Sequence, residues 1–187
     1  MKIIRLLLSC ILLVNLAHAQ GALGVYVKTD LLNLLAKQPA IAVEKVFNKR
    51  YGIELSYAKG ELNWGREYQF EGVLMRGKVY TTEIKAKEAS LFYGAYAGVL
   101  NKKIVANNGY KHPTGFLAWG HDLDFIADSF RAGGTLGVLF IPKRRFFLET
   151  TTGLGYGKYY NVKTFNGTNK PSGYLDVQLN LSVGYSF

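Results

Sequence analysis

The chain has 187 residues, a formal net charge of +10, 49% hydrophobic residues and one cysteine, Cys10. A single cysteine excludes an intrachain disulfide and a cysteine-based metal site. After the N-terminal segment no run of 18 apolar residues occurs, which excludes a helical membrane span in the rest of the chain.

Residues 1–19 read as a secretory signal peptide. Lys2 and Arg5 form a positive start, Leu6–Leu16 is apolar, and Ala17-His18-Ala19 is an A-x-A cleavage site. Cleavage leaves residues 20–187 as one domain that lacks cysteine and, with Lys2 and Arg5 gone, has a net charge of +8. For an exported chain with no nucleic-acid motif, that charge suits anionic lipid headgroups such as lipopolysaccharide phosphates.

From there the pattern has period two, and helical signals are nearly absent. Eight strands are predicted, at about 23–35, 40–47, 51–62, 74–86, 90–102, 124–141, 145–162 and 174–187. Asn48-Lys49-Arg50, Lys87-Glu88-Ala89 and Pro142-Lys143-Arg144 read as tight turns. The stretches 60–73, 103–123 and 163–173 read as longer polar loops. The connection 36–39 is short where a long loop would be allowed. In strand seven, Phe146, Leu148, Leu154, Tyr156 and Tyr160 share one face, and Phe147, Glu149, Thr151, Gly153, Gly155 and Gly157 the other. Side chains alternate across a strand, so each strand presents one apolar and one polar or small face.

The last strand is the clearest. Leu175, Val177, Leu179, Leu181, Val183, Tyr185 and Phe187 alternate with polar or small residues. Thirteen alternating residues exceed the usual ~5–6 of a soluble strand and suffice for the ~9–11 that cross a bilayer. A segment of this kind ending on Phe is similar to the C-terminal strand that bacterial outer-membrane barrels present to their assembly machinery, which makes Tyr185 and Phe187 the expected assembly signal.

Two faces alone do not say which is inside. The strands are of membrane length, glycine lies on the polar face as a narrow eight-stranded interior demands, and aromatic residues gather near strand ends on the apolar face. These favour an all-β, eight-stranded antiparallel up-and-down transmembrane β-barrel with its polar face inward. The expected lumen charge network is Lys28, Asp30, Glu44, Glu54, Glu83, Lys85, Arg131, Glu149 and Asp176. Its near-balance of signs suggests ion pairs that pack the interior, since unpaired charge there is prohibitively costly.

Val27-Lys28-Thr29-Asp30-Leu31-Leu32, then Ile41-Ala42-Val43-Glu44 and Lys49-Arg50-Tyr51-Gly52-Ile53-Glu54-Leu55-Ser56, carry a resemblance over about the first third of the mature chain. They resemble an uncharacterised family of small bacterial outer-membrane barrels, a domain of unknown function with OmpA/OmpX-like architecture; Asp30 stands where Asn is usual. The resemblance implies fold and an outer-membrane location in a Gram-negative bacterium, and no activity.

Little suggests chemistry. His121-Asp122 with Ser129 could be base, orienting carboxylate and nucleophile of a lipid-modifying enzyme, but a solvated polar loop explains the histidines more simply. His112 and His121 lack a standard metal-ligand spacing. Gly153–Lys158 lacks the phosphate-loop spacing and sits in a strand. No catalytic, cofactor or metal residues are expected. Trp64, Arg66, Lys103, Lys111 and Trp119 are the expected external contacts, because loops on a rigid scaffold commonly carry binding.

The reading is a monomeric barrel with a structural or surface-interaction role, touching outer-membrane lipids including lipopolysaccharide and the barrel assembly machinery. A narrow gated pore is the alternative, and a lipid-modifying enzyme the third. Phe187→Asp is expected to impair insertion; normal heat-modifiable barrel in the outer-membrane fraction of that variant would contradict the assembly role.

Overall fold

The computed structural model describes residues 24–35, 40–63, 66–106, 124–142, 145–165 and 170–187. The strands are β1 (Val25–Asp30), β2 (Ala40–Phe47), β3 (Tyr51–Asn63), β4 (Arg66–Tyr80), β5 (Ala89–Ala106), β6 (Phe125–Phe140), β7 (Phe146–Thr164) and β8 (Gly173–Ser186), with a five-residue helix α1 (Leu31–Leu35) after β1. Each strand pairs antiparallel with the next, and β1 pairs with β8, closing the ring. The start of β1, the end of β8 and the junctions β2–β3, β4–β5 and β6–β7 share one end of the barrel, here the turn end; the opposite end is the loop end.

The polar face is inside, as the glycine and aromatic placement implied. Lys28, Glu44, Glu54 and Glu149 are buried, while Ile53, Leu55, Met75, Leu136, Leu154, Leu175, Val177 and Leu179 project outward into an apolar belt. Such a belt cannot face water over this area and suits hydrocarbon. Ring closure gives every strand a neighbour on each side over part of its length, and this pairing is how strands satisfy their backbone in lipid. On the β6–β7 wall, Gly133 and Gly155 pair directly. A Cβ on either would meet the Tyr96 hydroxyl and a neighbouring backbone carbonyl. The large inward side chains of β5 fit only because β6 and β7 give up theirs.

Four sequence expectations are corrected. The first strand stops at Asp30 because its carboxylate caps a helix, accepting hydrogen bonds from the backbone of Leu32 at 2.8 Å and Asn33 at 3.2 Å. Leu31–Leu35 has no β-branched residue to resist that turn. The stretch 60–73 is largely strand: β3 and β4 stay paired from Tyr51↔Val79 to Asn63↔Glu67. The fourth strand correspondingly runs from Arg66 to Tyr80, not to residue 86. The turn placed at 87–89 begins at Thr81, with Lys87 at a positive φ of 69°. The turn at 48–50 stands: Asn48 and Lys49 both have positive φ, 49° and 54°, as a type I′ hairpin requires.

The barrel wall is uneven. β1 and β2 have 6 and 8 residues, whereas β5, β6 and β7 have 18, 16 and 19. Among the described residues, the wall between β8 and β3 is therefore low at the loop end.

Candidate functional site

The lumen is layered from the turn end upward. Its floor is apolar and aromatic: Tyr26, Val46, Tyr80, Ile84, Phe92, Leu139, Ile141 and Phe147 form one buried cluster. Tyr26 and Phe147 stack with ring centres 4.9 Å apart, and Tyr80 and Phe92 at 5.4 Å.

Above the floor lies a six-charge cluster. The Lys28 ammonium is 2.8 Å from Glu44, 2.7 Å from Glu54 and 2.7 Å from Glu149. Lys78 repeats that set at 2.8, 2.7 and 2.8 Å. Arg76 adds a bond of 2.5 Å to Glu54 and reaches Gln178 at 3.0 Å. Tyr80 donates to Glu44 at 2.6 Å and Thr151 to Glu149 at 3.1 Å. Glu54 Oε2 is held by charge alone, close to both ammonium groups yet off their hydrogen-bond directions. Carboxylate oxygens of Glu44, Glu54 and Glu149 lie within 4.8 Å of one another, a grouping that could hold a cation. Here two lysines supply the positive charge, and three cations balance three anions.

The third layer is Arg131, Asp176, Tyr96 and Gln178. Asp176 accepts from Tyr96 at 2.8 Å and Gln178 at 2.9 Å, with Arg131 at 3.6 Å. Nearer the loop end, Lys102 lies over the Tyr174 ring, 3.1 Å from its centre, and 5.7 Å from that of Tyr159.

Of the nine charges expected in the lumen, Lys28, Glu44, Glu54 and Glu149 come together. Arg131 and Asp176 form a separate contact nearer the loop end. Asp30 is buried but serves the α1 cap and accepts from Asn180. Glu83 and Lys85 are exposed in the turn after β4, so they are no part of the lumen. In a strand they would share parity with Met75 and Val79, on the lipid face. Arg76, Lys78 and Lys102 were missed, although Arg76-x-Lys78 between Met75, Gly77 and Val79 carries the same period-two signal.

At the C-terminus, Tyr185 stacks edge-on with Phe146 at 5.3 Å and with Phe187 at 5.0 Å, and the Phe187 amide donates to Val25 at 2.9 Å. Lys103, expected in a loop, is in β5 and pairs with Glu67 at 3.3 Å. Trp64, Lys111, Trp119 and the side chain of Arg66 lie outside the described residues, as do residues 1–19, His112, His121 and Asp122. Ser129 is buried in the wall, donating to Leu100 at 2.9 Å and sharing a hydrogen bond with Tyr174. Its hydroxyl faces the lumen, away from the lipid boundary an enzyme would need.

A closed eight-stranded ring with an apolar outer belt and a charge-packed interior is a small outer-membrane β-barrel. The structure is similar to Neisserial surface protein A, NspA (TM-score 0.54, 14% identity, covering 88% of this chain and 97% of that one). It is also similar to the N-terminal β-barrel domain of Pseudomonas aeruginosa OprF (TM-score 0.50, 13% identity, covering 90% and 100%). The chain thus has the fold of Gram-negative outer-membrane barrels, OmpA/OmpX-like in architecture. No model of a known family matches it, and no curated protein does.

Removing one member of the cluster should cost far more than removing a balanced pair. Glu149→Gln leaves two ammonium groups short of an anion and is expected to destabilise the barrel by about 3–5 kcal/mol. Lys78→Met/Glu149→Gln should cost clearly less than the sum of its single changes. Urea unfolding of the refolded barrels checks this; additive losses would mean the charges act independently.

Proposed function

We propose that the protein is a closed, monomeric barrel of the Gram-negative outer membrane whose role is structural and interactive, exercised at its external, loop end. The observation that carries this is the filled lumen: an apolar floor at the turn end and, above it, six buried charges that neutralise one another. A solute would have to part the ion pairs while each charge in turn lost its partners, at several kcal/mol per ion. Function then falls to the surfaces the barrel presents. These are the belt toward lipid and the loop end, with Arg66 in β4, Lys103 in β5, and Trp64, Lys111 and Trp119 in the segments that join strands. The basic and aromatic make-up of those residues suits lipopolysaccharide phosphates and partner surfaces. NspA, one of the similar structures, is named a surface protein, which agrees with this reading. The barrel assembly machinery is the partner that the alternating apolar face of Leu175–Phe187 suits.

Refolded mature protein in planar bilayers should be electrically silent while retaining heat-modifiable mobility. Discrete, reproducible openings would show an open lumen and favour a pore.

A further inference from the structure

The loop-end layer of the lumen differs from the balanced cluster below it. Lys102 is only 8% exposed and makes no ion pair among the described residues. It rests on the faces of Tyr174 and Tyr159. Arg131 is 3.6 Å from Asp176, and its buried Nε has no hydrogen-bond partner. Asp176 is already held by Tyr96 and Gln178. A buried cation without an anion is costly unless something completes it.

The wall beside this layer is the low one. β8 pairs with β7 from Gly173 to Tyr185, but with β1 only from Ser182 to Ser186. From Gly173 to Leu181 its other edge has no strand beside it among the described residues. That stretch is at membrane depth: Leu175, Val177 and Leu179 are 68%, 58% and 69% exposed on the apolar belt. The side chains alternating with them, Tyr174, Asp176 and Gln178, point inward to the layer that holds Lys102 and Arg131. α1 packs against β8 and presents Leu32 and Leu34 outward. Thus an apolar, strand-free edge on the lipid side leads to a cation-rich layer on the lumen side.

We propose that this layer binds the phosphate of an anionic lipid, whose headgroup enters sideways over the low β1–β2 wall while its acyl chains stay along β8 and α1. Lys102 supplies a point charge that swings off the Tyr174 ring, and Arg131 supplies the planar donor suited to phosphate oxygens. The acyl chains fit the Leu175, Val177 and Leu179 surface. This goes beyond the surface role proposed above and does not depend on it.

Native mass spectrometry of the full mature barrel, released from phosphatidylcholine bilayers doped with phosphatidic acid, tests it. One retained phosphatidic acid is expected, held at least tenfold more weakly by Lys102→Met and by Arg131→Gln, and unchanged by Lys45→Gln, which removes an exposed cation near the turn end. Either lumen variant suffices if it keeps its heat-modifiable mobility. Absence of a retained phosphatidic acid, or equal retention by both lumen variants, would overturn the site. Displacement of the lipid by inorganic phosphate at equal concentration would overturn sideways entry, marking a site filled by free solute from the mouth.

Discussion

The structure depends on one constraint: charges inside a narrow barrel must neutralise one another. Lys28 and Lys78 each touch the same three glutamates, and Arg76 completes the count. The six come from β1, β2, β3, β4 and β7, so no hairpin can assemble the cluster alone. Lys28 and Glu149 are 121 residues apart. A partly formed sheet would hold some of these ions without partners, at several kcal/mol each. The cluster therefore favours full closure over intermediates, and it ties register to charge. A one-residue slip of β4 would send Arg76 and Lys78 into lipid and Met75 and Val79 into the lumen.

The remaining layers follow from the same narrowness. Phe92, Tyr96 and Lys102 fill the interior from β5, and the β6 and β7 walls facing them carry glycine, as Tyr96 over Gly133 and Gly155 illustrates. Only at the loop end does the balance fail. There, among the described residues, β1 and β2 are too short to complete the wall, and Lys102 and Arg131 face the single carboxylate of Asp176. A low wall and an unbalanced charge at the same height make this the part of the barrel best placed to take something from outside.

Much of this was legible in the sequence because period two is a strong signal in long strands. The Leu175–Phe187 alternation, the glycines of β7 and the burial of Glu44, Glu54 and Glu149 were all readable from it. The errors fell where local chemistry overrides periodicity. Asp30 reads as one more polar position in a strand, yet its carboxylate caps α1. Glu83 and Lys85 read as a continuation of β4, yet the chain turns after Tyr80. Arg76 and Lys78 are within reach of the same rule, but taking Glu83 and Lys85 as the polar face of a strand over 74–86 puts these even-numbered residues on the opposite face. The contact between Lys102 and Tyr174 could not be read at all, since β5 and β8 are brought together only by barrel closure.

The central claim is that Lys28 and Lys78 are dry and locked among three glutamates. The direct measurement is nuclear magnetic resonance of the lysine ammonium groups in the refolded barrel. The account predicts two slowly exchanging ammonium signals with through-hydrogen-bond coupling to the carboxyls of Glu44 and Glu149. Rapid exchange with water and no such coupling would mean a wet lumen, and the cluster would not be what holds the barrel shut.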